Sequence, residues 1–185
     1  MTENKCDACG QVFDSKEKLM EHARMHMASK NMGKSIAGGI LGGILMLIVL
    51  MVGAMSMGLS ATMFALVMGM GLGASMGSAV MVGVLGHFIV SIVAGTVFGI
   101  IVSYVKPLNL RSSKRSIALG LVFGIVLYMV FFLPMAMTVF ASVMMSLMGA
   151  KASMMLPDVL VVGFIGHLLY GLALGASAFY MGNRI

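Results

Sequence analysis

The sequence predicts an all-α membrane protein. It should be a four-span helical bundle built from two tandem repeats, with membrane-hugging segments on its outer face and a small N-terminal unit of different character. Three observations predict this. After Lys34 the chain is apolar almost throughout: it is 60% hydrophobic and 10% charged overall, with a mean hydropathy of +1.05. A soluble domain carries about 25% charged residues. The charge is also confined, since beyond Lys34 the only acid is Asp158. Finally, "GVLGHFIVSIVAG" at 83–95 matches "GFIGHLLYGLALG" at 163–175 without a gap, at a spacing of 80 residues.

The N-terminal unit, residues 1–28, comes first. "KCDACGQVFDSKEKLMEHARMH", residues 5–26, holds both cysteines and two of the four histidines. Cys6 and Cys9 are followed after twelve residues by His22 and, three further on, by His26. This C-x2-C-x12-H-x3-H spacing is that of a zinc site. Two thiolates on a tight turn and two imidazoles one helical turn apart can surround a tetrahedral ion. Gly10 suits the turn, and Phe13 and Leu19 fall where so small a unit needs its core. On these residues the stretch resembles the C2H2 zinc-finger family. The resemblance covers residues 5–26 and implies a ββα fold around a structural zinc.

Four protein ligands close the coordination sphere, so the expected metal supplies folding energy rather than catalysis. Thiolate ligands persist in a reducing space, which puts the N-terminus in the cytoplasm. In the resembled family the base-reading positions would fall on Ser15, Lys18 and Glu21. Glu21 opposes phosphate, and there is no arginine to pair with guanine. The sequence therefore argues against DNA as partner and for a protein-docking role.

Residues 29–35 read as a linker. Repeat 1 is expected over 36–105 and repeat 2 over 117–185, joined by a basic loop at 106–116. Four apolar segments are long enough to span a bilayer: 36–57, 79–105, 117–138 and 159–181. No cleavable signal precedes them, so the first acts as an uncleaved anchor. Lys106, Arg111, Lys114 and Arg115 mark the loop as cytoplasmic by the positive-inside rule. Lys30 and Lys34 before the first span and Arg184 after the last put both termini on that side, in the cell membrane. Segments 58–78 and 139–156 then lie outside as membrane-hugging or re-entrant pieces, and Lys151 argues against a crossing in the second. A six-span count is the alternative.

At the 80-residue offset Lys34 meets Lys114, Met55 meets Met135, and His87 meets His167. The copies should be related by a pseudo-twofold axis along the membrane normal. Small residues recur every fourth position around the two histidines (Gly83, Ser91, Gly95, Gly99; Gly163, Gly171, Gly175). Gly38/Gly42, Gly39/Gly43 and Gly120/Gly124 do the same on the other spans. Such stripes let helices approach closely. His87 and His167 sit within them and so face protein, about 12 Å into the span. Three readings of the pair stand side by side: hydrogen-bonded interhelical histidines, paired metal or haem ligands, and a proton or substrate relay. The structural reading is preferred.

Methionine is abundant, 23 in all, and clusters in the two outer regions, Met55 to Met81 and Met135 to Met155. Thioethers suit Cu(I), and they also serve as adaptable apolar filler; filler is preferred. The chain has no Ser/His/acid set in its spans and no phosphate loop, and is expected not to be an enzyme. The leading expectation is a non-catalytic accessory or assembly subunit of a larger membrane complex. Its partners would be lipid and other membrane subunits or a second copy, with the finger as cytoplasmic docking module. A copper- or haem-handling membrane protein, one that would serve a copper-dependent membrane enzyme, is the second reading. A small transporter is the third.

Overall fold

The computed structural model describes residues 4–104 and 112–180. Most of the basic loop, including Lys106 and Arg111, and the terminal Arg184 lie outside the described residues. Two short strands, β1 (Asn4–Lys5) and β2 (Val12–Phe13), pair antiparallel with Asn4 opposite Phe13 and Lys5 opposite Val12. Five helices follow: α1 (Lys16–Ser56), α2 (Met63–Gly71), α3 (Met76–Tyr104), α4 (Ser113–Met148) and α5 (Lys151–Tyr180).

Among the described residues four helical segments are long and apolar enough to cross a membrane: Met32–Ser56, Met76–Ser103, Ser113–Met148 and Lys151–Phe179. Their exposure is inverted relative to a water-soluble bundle. Ser35, Ser91 and Ser116 are buried, while Leu41, Ile48, Val52, Leu85 and Ile89 are exposed. A continuous exposed apolar surface of this extent calls for a non-aqueous neighbour.

The helix starts and stops follow from local chemistry. Ser15 caps α1, its Oγ accepting from the Lys18 N–H at 3.2 Å. α1 then runs unbroken through 29–35, so the segment read as a linker is helical and the N-terminal unit shares a helix with the first apolar span. Gly58, at φ +71°, ends α1, and the Leu59 N–H reaches back to the Ala54 carbonyl at 2.9 Å. Gly73, at φ +88°, ends α2 in the same way, with Ala74 bonded to Gly69 at 3.0 Å. Both are left-handed glycine caps of the Schellman type.

One expectation fails here. The sequence places a separate outer segment at 139–156, yet α4 continues to Met148 and α5 starts at Lys151. Eighty residues after Gly58 and Gly73 the chain has Thr138 and Ser153. Neither takes a positive φ readily, and β-branched threonine least of all. Both residues are helical, and only Gly149, at φ +59°, turns the chain. Pro134, which cannot donate to the helix ladder, is absorbed rather than used as a stop. Wider π-type turns flank it at Tyr128–Phe132 and Ala136–Phe140. At about 1.5 Å per residue the 36-residue α4 measures roughly 54 Å, longer than a bilayer is thick. The first outer region does form a separate element, α2, which packs on α3 backbone to backbone at Gly69 and Gly83.

The four long helices run antiparallel to their packing partners, with α1 between α3 and α5, and α5 between α1 and α4. Glycine sets the separations. A Cβ on Gly39 would lie 2.6 Å from the Ser91 carbonyl and 3.2 Å from Gly95 Cα. A Cβ on Gly175 would lie 2.6 Å from the Ser116 carbonyl and 2.7 Å from Ile117 Cα. On its other face α1 meets α5, where Gly38 lies against Ser177, Gly42 against Tyr170 and Gly53 against Val162. Between α3 and α4 the contact is made by large rings instead, Phe98 and Phe123 with centroids 5.3 Å apart. Leu174, Val159 and Tyr170 fill the buried centre.

Candidate metal centre

The turn between β1 and β2 presents the two cysteines. The Gly10 N–H donates to the Cys6 carbonyl at 2.7 Å, and the Cys6 N–H donates to Gln11 at 2.8 Å. Gly10 sits at φ +77°, a conformation that costs glycine nothing. This folds residues 6–10 tightly enough to point both sulfurs at α1. There His22 and His26, four apart, share one helix face.

The four side chains converge. Cys9 Sγ lies 3.1 Å from His22 Nε2, His26 Nε2 lies 3.0 Å from His22 Nε2, and all four donor atoms lie within 4.8 Å of one another. A tetrahedral zinc with bonds of about 2.3 Å to sulfur and about 2.0 Å to nitrogen separates its ligand atoms by roughly 3.3–3.8 Å. The observed spacings bracket those values, so Cys6, Cys9, His22 and His26 fit a single ion with small side-chain adjustments. The Phe13 ring packs on His22 with centroids 4.7 Å apart and fixes that imidazole; Phe13 and Leu19 are half-buried beneath the site. Desolvation raises the Cys6 thiol pKa, but hydrogen bonds from the Ala8 and Cys9 backbone and from the Cys9 side chain outweigh it. The net shift is below the ordinary thiol value, toward the thiolate that a metal requires. The donor set of two sulfurs and two imidazole nitrogens suits Zn2+.

His87 and His167 have a different setting. The His87 Nε2–H donates to the Gly43 carbonyl on α1 at 2.9 Å. The His167 Nδ1–H donates to the Gly163 carbonyl one turn back at 2.7 Å, and the ring lies against Tyr128 and Phe132. Carbonyl acceptors make these nitrogens the donors, so one nitrogen of each ring is committed. Among the described residues neither histidine joins a group of three or more His, Cys, Asp or Glu side chains; the N-terminal four do.

Sequence reasoning passed over two tyrosines. The Tyr170 hydroxyl reaches across the glycine face of α1 to the Ser91 carbonyl on α3 at 2.6 Å. With the His87 bond to the Gly43 carbonyl, this hydroxyl ties α1, α3 and α5 together around Gly39 and Gly43, while Ser91 Oγ donates back along α3 to the His87 carbonyl at 2.8 Å. The Tyr128 hydroxyl donates to the Leu160 carbonyl at 3.2 Å. A hydroxyl in an apolar span needs an acceptor inside the bundle, and that was the available signal.

Fold and centre together define a class: a helical chain with four membrane-compatible spans and, at the leading end of its first long helix, a Cys2His2 group that could hold a metal ion. Comparison with protein-family models, with curated proteins and with solved structures gives no match to this chain.

Proposed function

We propose that the protein is a non-catalytic integral membrane subunit whose N-terminal Cys2His2 unit is a cytoplasmic, zinc-built ββα finger that docks a partner protein. The observation that carries this reading is the continuity of α1, Lys16–Ser56. The helix that supplies His22 and His26 is the helix that enters the bundle, so whatever the finger holds is held on the membrane part. Four protein ligands leave no open coordination position for a substrate. Lys18, one of the base-facing positions in the DNA reading, is tied to Asp14 at 2.6 Å. Around it Val12, Met20 and Met25 are exposed apolar side chains on the finger, better suited to protein than to phosphate.

Lys34, Lys114 and Arg115 lie at the finger's end of the four long helices, and Lys151 at the other. By the positive-inside rule this supports a cytoplasmic finger, loop and C-terminus. The α1–α3 and α4–α5 hairpins are read as two copies of one unit. Ser35, Gly39 and Gly43 contact α3 as Ser116, Gly120 and Gly124 contact α5. That correspondence has an offset of 81, one more than the histidine match, and it pairs Lys34 with Arg115 rather than with Lys114. The copies then diverge where Leu119 and Phe123 replace Gly38 and Gly42. The tight α1–α5 contact thus has only a ring-filled counterpart at α3–α4.

Purification of tagged full-length protein in mild detergent from its native membrane, beside the Cys9→Ser variant, tests the proposal. The wild type should retain membrane partners in fixed ratio and the variant should lose the one that the finger holds. A wild-type chain that purifies alone, with zinc bound, would overturn it.

A further inference from the structure

At the end of the bundle far from the finger, α1 stops at Ser56 while the face of α5 runs on, which leaves a cavity of about 480 Å3. Its lining includes Met57 from the end of α1 and Lys151, Met154, Met155 and Asp158 from α5. The residues from α5 fall at i, i+3, i+4 and i+7, one face of the helix. Three features set this cavity apart from ordinary packing. Asp158 is the only acid after Glu21, and Lys151 the only lysine or arginine between Arg115 and Arg184. Both line this one space, yet among the described residues they form no ion pair with each other. Asp158 is exposed at this end of the bundle, and an acid beside an otherwise acid-free apolar surface is a functional-site candidate. Eighty residues earlier, ahead of the matching stretch, the chain has Gly71, Ala74, Ser75 and Ser78. Met155 also packs in the core with Met57 against it, whereas Met154 and Asp158 are exposed and have no counterpart in the first half.

We propose that this cavity binds a soft monovalent cation of the Cu(I) class, taken by the thioethers of Met57, Met154 and Met155, with the Asp158 carboxylate balancing its charge. Thioethers select Cu(I) over the hard divalent ions, and the unbranched methionine chain lets sulfurs from two helices turn toward one point. Met154 and Met155 flank Asp158 at i−4 and i−3, so two thioethers and the carboxylate share a single turn of α5. Lys151, two turns from Asp158, lines the same space. The site uses no residue of the finger and stands independently of the docking role.

The test is a Cu(I) titration of full-length, zinc-loaded protein in mild detergent, with ascorbate as reductant and a chromophoric chelator as competitor. Met57→Leu/Met154→Leu/Met155→Leu keeps side-chain volume nearly constant and leaves the other methionines as an internal control. It should bind one equivalent of Cu(I) fewer than wild type, at equal zinc content. Asp158→Asn should weaken that equivalent by up to about tenfold, the scale set by loss of a solvent-exposed opposite charge. Equal Cu(I) stoichiometry and affinity in wild type and triple variant would overturn the proposal. If the triple variant does not fold, Met154→Leu alone decides the matter. Met154 is 74% exposed, so its replacement leaves the packing intact. Weaker Cu(I) binding supports the site, and unchanged binding removes it.

Discussion

Replacing Gly39 by alanine adds one methyl group where α1, α3 and α5 meet. The new Cβ would stand 2.6 Å from the Ser91 carbonyl oxygen, 3.2 Å from Gly95 Cα and 3.4 Å from the Tyr170 hydroxyl. The first two are backbone atoms of α3 and cannot rotate away. Relief to an ordinary 3.4 Å contact moves the helices apart by about 0.8 Å, and a gap of that size forfeits a quarter to a half of each affected dispersion contact. The same shift pulls the Ser91 carbonyl from Tyr170, a membrane hydrogen bond worth about 0.6 kcal/mol and at most about 1.7. Overpacking of this kind costs about 1–3 kcal/mol, against a helix-propensity gain of about 1 kcal/mol for alanine over glycine. The net expectation is a loss of about 1–3 kcal/mol. Gly33 supplies the control: it lies on the same helix, and a Cβ there meets nothing within 4 Å. Gly33→Ala should be neutral or stabilising by up to about 1 kcal/mol. Reversible unfolding of both variants by SDS in mixed micelles reads the difference. Equal midpoints for Gly39→Ala and Gly33→Ala would refute the claim that glycine contacts set the helix separation.

Three further outcomes are expected. Tyr170→Phe should weaken the bundle by about 0.6–1.7 kcal/mol in the same assay, because it removes only the hydroxyl that crosses α1 to Ser91. His87→Asn and His167→Asn should each give a folded bundle weakened by about 0.6–2 kcal/mol with unchanged metal content. Loss of a bound metal or haem from either would instead make the pair ligands. Engineered cysteines within 106–116 should react with impermeant reagents only after the membrane is opened, and labelling from outside intact cells would reverse the proposed orientation.

The legible parts of this molecule were those written in local pattern. The spacing of Cys6, Cys9, His22 and His26 announced a metal cluster, and all four donor atoms meet. The four apolar stretches announced four long helices, because hydropathy over twenty residues averages out local detail. The course of residues 139–156 was misread because the positions of the basic clusters and Lys151 set the segment outside the spans, and charge says nothing of where a helix stops. The difference between the two halves rests on single residues at the turns, Thr138 for Gly58 and Ser153 for Gly73, which only a backbone-angle argument detects. Tyr170 stayed hidden for a related reason. Its counterpart eighty residues earlier is Val90, and its partner Ser91 lies on another helix, so the need for an acceptor is legible in the sequence but the acceptor is not. The Met57 cavity depends on where α1 stops relative to α5, a relation between helices that periodicity does not carry.

The central claim is that a zinc-built unit rides on the first membrane helix without sharing a core with the bundle. Zinc content per chain, measured on full-length protein in mild detergent beside Cys9→Ser, tests it most directly, with SDS unfolding run on the same samples. The wild type should hold one zinc per chain. Cys9→Ser should hold none after dialysis against a zinc chelator, because loss of one of two thiolates weakens a site whose binding energy also folds the unit, and its bundle should unfold at the wild-type midpoint. One zinc per chain retained by Cys9→Ser, or a bundle that falls apart with the loss of the ion, would contradict the account.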